Sequence, residues 1–259
     1  MLREILHALP PVPLALLLAA AILLPIALAT WLLGLDRPNT DRSNDNVSTA
    51  AIRFVGGAFA LLSAFIIVSL SAQSNAARAA VRAEAAAADS FAREARRLPA
   101  PLGAQLLAGV ENYLQAVVGE EWGDMDDPGH HHDQADDEMD RLFDLLLGSA
   151  PATYDARYDL VVRSLDRLEE RRVERLLTSR EPLPTVLWVV LLTSAAALLV
   201  VSALYPAGGH RWAKWAQLLA TGAVVTVVLF VVLSLEHAYR GFLAIEPVAL
   251  ETVLQQIRS

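Results

Sequence analysis

The sequence predicts an all-α membrane fold. Four transmembrane helices carry a helical cytoplasmic domain inserted between the second and third, and the second helix continues into the cytoplasm. Three observations carry this expectation. Four apolar blocks, about Val12 to Leu35, Phe54 to Ala77, Leu183 to Tyr205 and Trp212 to Leu235, are each long enough to cross a hydrocarbon core, and only Lys214 interrupts any of them. The charge-free run from Phe54 to Ala77 flows into a stretch ending at Leu98 that contains no Pro or Gly. No alternating apolar–polar pattern marks a strand anywhere.

The composition agrees. Of 259 residues, 54% are hydrophobic, above the usual share for soluble domains, and the mean hydropathy is +0.39. A net charge of -8 argues against nucleic acid, which requires a concentrated basic face. The absence of cysteine removes disulfides, thiolate catalysis and thiolate metal sites. All basic residues but Lys214 are arginine, which with the Ala/Leu/Val bias suggests a GC-rich bacterial genome; the expected location of this multi-pass chain is a bacterial inner membrane.

The elements follow in order. In the first block Ala27-Leu28-Ala29 resembles a signal cleavage site, but the apolar run continues through Trp31-Leu32-Leu33, so a retained helix is expected. Residues 1–77 then form an N-terminal helix pair. Its second member, read as one helix from Phe54 to Leu98, would be roughly 68 Å long at about 1.5 Å per residue. Arg78, Arg82, Glu84, Asp89, Arg93 and Glu94 should share its wet side.

Residues 78–181 form the inserted domain. After Pro99-Ala-Pro101, the apolar residues Leu102, Leu106, Val110, Leu114 and Val117 predict a helix to Val118. An acidic loop is expected over Gly119 to Asp136, a short helix over Met139 to Leu147, and a longer one over Thr153 to Ser179. Residues 182–236 form the C-terminal helix pair. Residues 237–259 form an amphipathic tail, helical from Ile245 to Ile257. Arginines concentrated beside the second and third spans place the central domain and both termini in the cytoplasm.

Several clusters could carry chemistry. In the second span Gly56, Ala60, Ser63, Ile67, Ser71 and Ser74 form a small, hydroxylated side, while Phe54, Ala58, Leu61, Phe65, Val68 and Ala72 form a bulky one. Small residues suit close helix packing. Hydroxyls beside an apolar ring equally suit a pore with a dewetting constriction. Arg163, Arg167, Arg171 and Arg175 recur every fourth residue, a ladder that would concentrate anions in a vestibule. Asp159, Asp166, Glu170 and Glu174 lie at ion-pair spacing and would neutralise it. His130, His132 and Asp126 are weak candidates for a divalent metal, since consecutive histidines diverge and the loop around them reads as a solvated acidic surface. Glu236, His237 and Arg240 form a local charged cluster at the end of the fourth span. No nucleophile–base–acid set, phosphate-binding Gly loop or intramembrane carboxylate is present in the sequence pattern, so neither an enzyme nor a cofactor is expected.

An ordered set of segments carries a resemblance. It comprises Arg53-Phe-Val-Gly-Gly-Ala-Phe-Ala-Leu-Leu-Ser-Ala-Phe, Leu98-Pro99, Tyr113-Leu-Gln-Ala-Val-Val-Gly-Glu-Glu-Trp122 with Met125, and Arg175-Leu-Leu. Pro184 with Leu187-Trp188, and His237-Ala-Tyr-Arg-Gly241-Phe with Ile245-Glu-Pro247, complete it. From about residue 50 to the end, the chain resembles the bestrophin-like family of bacterial membrane proteins. The resemblance implies four transmembrane helices, a helical cytoplasmic body and a pentameric anion channel whose second spanning helix lines the pore. On that analogy Phe54, Ala58, Leu61 and Phe65 are neck positions, with Ser63 and Ser71 as further pore-lining candidates. The partners implied are the lipid bilayer, further copies of the chain and inorganic ions. A non-conducting membrane scaffold or sensor that presents its helical body to cytoplasmic partners is the alternative from a different class.

Overall fold

A computed structural model describes residues 20, 45–122, 133–151, 155–179, 183–204, 211–236, 239 and 244–259. The predicted first span, apart from Ala20, lies outside the described residues. These form α1 (Asp45–Ala95), α2 (Leu102–Ala116), a π-helical turn (Val117–Glu121), α3 (Asp133–Gly148), α4 (Ala156–Ser179), α5 (Thr185–Leu204), α6 (Arg211–Glu236) and α7 (Val248–Arg258). No strand occurs among the described residues. Among the described residues three helices, α1, α5 and α6, are long and apolar enough to cross a membrane.

The chain divides into two compact units. The first comprises residues 1–72 and 182–237, the second residues 73–181 and 238–259. Helix α1, 51 residues long, contributes its first part to one and its last part to the other.

In the first unit α1, α5 and α6 share an apolar core of Phe59, Ile66, Leu70, Leu191, Ala195, Leu198, Val225, Leu229 and Val232. Gly56 belongs to this packing, because a Cβ placed on it would lie 3.7 Å from Leu198 Cδ1. Polar contacts add to it as interhelical links of the kind that membrane helices use. Ser202 Oγ lies 3.2 Å from Thr221 Oγ1, and Trp188 Nε1 donates to Glu236 Oε1 at 2.9 Å.

In the second unit the Ala-rich end of α1 buries Ala77, Ala80, Val81, Ala85, Ala88, Phe91, Ala92 and Ala95. That face shares one apolar core with α2, α3, α4 and α7. Their contribution includes Leu106, Val110, Leu114, Met139, Leu142, Leu165, Leu168 and Leu250. Gly103 sits where α2 passes the end of α1; a Cβ there would come within 2.7 Å of Ala95 O and 2.8 Å of Leu98 O.

Several boundaries differ from the sequence expectation. Helix α1 starts at Asp45 and ends at Ala95, against the expected Phe54 to Leu98, and α7 starts at Val248 and not at Ile245. Gly119, Glu120 and Glu121, expected in a loop, continue the helix as a π turn. Helix α3 begins at Asp133 and not at Met139. Asp136, Asp137 and Glu138 in its early turns suit the positive end of the helix dipole. Ala135, Met139, Leu142 and Leu146 give it a buried stripe at helical spacing, which anchors those turns on the core.

Candidate functional site

The bulky side of α1 faces away from the packed core of the first unit. Phe54 is 78% exposed, Leu61 74%, Phe65 63% and Val68 68%, and Ala58 is half-buried. The steps between these positions alternate four and three, the spacing that keeps side chains in register along a helical seam. Ser63 lies on the opposite side, buried among the core residues, and its Oγ has no hydrogen-bond partner. Ser71 is half-buried and Ser74 is buried. The bulky side is therefore open, but the small side is not the packed one as a whole. Gly56, Ile67 and Ser71 are half-buried and Ala60 is exposed, and the packed face centres on Phe59, Ile66 and Leu70.

The four arginines of α4 do not share one environment. Four residues advance an α-helix by about 40° beyond a full turn, so three such steps rotate the ladder by roughly 120°. Arg163 and Arg167 are exposed, Arg171 is half-buried and Arg175 is fully buried. Arg163 pairs with Asp159 at 2.7 Å and Arg171 with Glu174 at 2.6 Å, both within the helix.

Arg175 instead centres a buried charge network that the sequence did not reveal. Its guanidinium donates to both oxygens of Glu84 on α1, with Nη2 to Oε1 at 3.2 Å, and to Glu121 Oε1. Arg172, one turn earlier, donates from Nη2 to Glu121 Oε2 at 2.7 Å and from Nη1 to Asp136 on α3. The Tyr113 hydroxyl donates to Glu84. Glu84, Glu121, Arg172 and Arg175 are all buried, two anions against two cations, so the core carries no net charge from them. Arg172 lies 5.9 Å from the Tyr113 ring centroid and Arg175 5.8 Å from that of Trp122, cation–π contacts strengthened by desolvation.

The π turn explains how Glu121 joins this set. Tyr113 and Val117 are buried, and an α-helical continuation would carry residue 121 a further ~40° around the axis. The wider turn holds back that advance, so that Glu121 falls on the buried face and Glu120 stays exposed.

The electrostatics follow from the geometry. Burial pushes the Glu121 carboxyl upward, but Arg175 and Arg172 outweigh it and hold it below its ordinary value. Burial also opposes charge on Arg175, yet Glu84 and Glu121 hold its proton more firmly than in water. Tyr113 is kept neutral well above its ordinary range by burial first and the Glu84 charge second.

His130, His132 and Asp126 lie outside the described residues, as do His237 and Arg240. Glu236, the described member of that last cluster, accepts from Trp188. No group of metal-ligating side chains occurs among the described residues.

The structure resembles a point variant of a bacterial bestrophin homologue from Klebsiella pneumoniae, with a TM-score of 0.68 and 14% identity over 95% of this chain and 98% of that one. A second structure of the Klebsiella pneumoniae homologue has a TM-score of 0.65 and 13% identity over 95% of this chain and 96% of that one. A variant of a structure described as a membrane protein has a TM-score of 0.67 and 13% identity over 96% and 98% of the two chains. No curated protein matches. The Bestrophin-like domain family matches residues 16–250, nearly the whole chain, and this membrane protein belongs to that family.

Proposed function

We propose that the chain is a passive ion channel, assembled from several copies, with α1 lining the conduit. The observation that carries this reading is the exposed seam of Phe54, Ala58, Leu61 and Phe65 on a helix whose other side is packed. A ring of such helices would meet along that seam and present an apolar neck, which gates by excluding water. Five copies and a preference for anions are the arrangement that the bestrophin resemblance implies. The second unit is then the cytoplasmic body, which sets the rotation of α1 through Glu84 and its partners.

The test is reconstitution of the full chain in vesicles with chloride and potassium flux as readouts. Flux above empty vesicles, increased by Phe65→Ala as the neck loses bulk, is the expected result. Flux equal to empty vesicles for both forms would remove the channel reading and leave a membrane scaffold. Native mass spectrometry showing a monomer would remove it as well.

A further inference from the structure

The seam of α1 does not end with its apolar residues. From Leu61 to Ala86, every position reached by alternating steps of four and three is exposed. Along that run the side chains are apolar or alanine except two, Asn75 and Arg82. Arg82 follows Val68 by 14 residues, about 21 Å along the helix axis.

A guanidinium on a seam of alanines has few ways to be neutralised. One turn to either side on its own helix stand Arg78, Ala79, Ala85 and Ala86, none of them an acid. The acids in the second half of α1 are occupied elsewhere: Glu84 by Arg175, Asp89 by Arg93 at 2.8 Å and Glu94 by Arg97 at 2.9 Å. Glu246 lines the same cleft as Arg82, from the segment before α7, but no ion pair joins the two among the described residues. Arg82 is therefore an exposed charge left uncompensated on the face that carries the neck.

Resting on the channel reading above, we infer that Arg82 is the residue that sets charge selectivity. One copy of the chain supplies one guanidinium, and a ring of copies meeting along α1 supplies a ring of them beyond the neck. Rings of arginine favour anions by raising their local concentration and repelling cations. Arg93 lies on the same side of the helix but is neutralised by Asp89, which confines the effect to Arg82.

The experiment measures reversal potentials of the full chain in bilayers under a KCl gradient. The wild type is expected to favour chloride. Arg82→Gln should lower the chloride-to-potassium permeability ratio roughly threefold or more, and Arg82→Glu should lower it further or invert it. The same neutralisation at Arg97, which is exposed but paired with Glu94, should leave the ratio in place. Because Arg82 is exposed and makes no ion pair among the described residues, both variants should fold, and size-exclusion profiles check this. Conducting variants whose ratio equals the wild type would overturn the assignment while the channel stands. An equal shift from Arg97→Gln would overturn it too. An absence of current in every form, wild type included, would overturn the channel reading and this inference together.

Discussion

Arg175 on α4 and Glu84 on α1 are joined by two hydrogen bonds in the fully buried core of the second unit, although 91 residues separate them in the chain. This contact ties the helix that carries the apolar seam to the longest helix of the inserted body. A buried pair adds little net stability over well-packed apolar residues, because desolvation offsets most of the attraction. Its geometric demand is greater. A guanidinium shared between Glu84 and Glu121 permits one rotation of α1 and one placement of the π turn.

Removing the shared cation should be costly. Arg175→Met leaves Glu84 and Glu121 buried with only Arg172 to balance them, and should destabilise the protein by about 3–5 kcal/mol. Arg175→Lys keeps the charge but loses the forked geometry and should recover only part of that loss. Denaturant unfolding in detergent, followed by tryptophan fluorescence, measures both. Wild-type stability in Arg175→Met would show that the network contributes nothing to folding.

Acid should loosen the second unit. The Glu121 carboxyl is held below its ordinary value of 4.5, so the native state takes up a proton less readily than the unfolded chain. The stabilisation is complete above that ordinary value and declines as pH falls through the depressed one. Unfolding midpoints should agree between about pH 7 and 6 and drop below about pH 4. Glu121→Gln should be less stable at neutral pH and should show a shallower acid slope. An equal acid slope in Glu121→Gln would place the titrating group elsewhere.

Two glycines of α2 should respond differently to alanine. At Gly103 the added methyl meets the backbone oxygens of Ala95 and Leu98, which cannot swing away, so Gly103→Ala should cost about 1–3 kcal/mol. At Gly109 the obstacle is the Leu142 side chain, with Cδ2 2.6 Å from the new Cβ. A rotamer change relieves that contact, and alanine gains about 0.5–1 kcal/mol in a helix, so Gly109→Ala should fall within about 1 kcal/mol of wild type. Thermal melts of the two variants decide it; equal midpoints would contradict the packing described.

Ser63 should tolerate alanine. Its buried Oγ makes no hydrogen bond, so Ser63→Ala removes a desolvated hydroxyl and leaves the surrounding Phe59, Ile66 and Leu70 in place. The melting temperature should stay level or rise. Chloride flux should also stay level, because the side chain lies on the packed side of α1. A fall in flux at constant stability would show that the hydroxyl reaches the conduit.

Much of this molecule was legible from residue order. Hydrophobic length set α1, α5 and α6, because a bilayer demands a definite number of apolar residues. The uninterrupted run without Pro or Gly set the continuity of α1, and Leu106, Val110 and Leu114 set α2 by their period. The two faces of the second span could be separated because helical spacing alone decides which side chains are neighbours. The ordered segments from Arg53 to Pro247 pointed to the family.

Tertiary packing decided the rest. Arg163 has Asp159 and Asp166 at helical ion-pair spacing and is solvated, whereas Arg175 has no acid three or four residues away and is sealed between Glu84 and Glu121. Local spacing offers Arg175 no acid at that distance on its own helix but cannot name the ones it pairs with, since they come from α1 and from a π turn. That Phe59, Ile66 and Leu70, between the two sides named from the sequence, form the face that meets the core was likewise open until α5 and α6 were in place. Periodicity tells which residues share a face, whereas only the neighbouring helices determine which face is covered and which charges must then be paired inside.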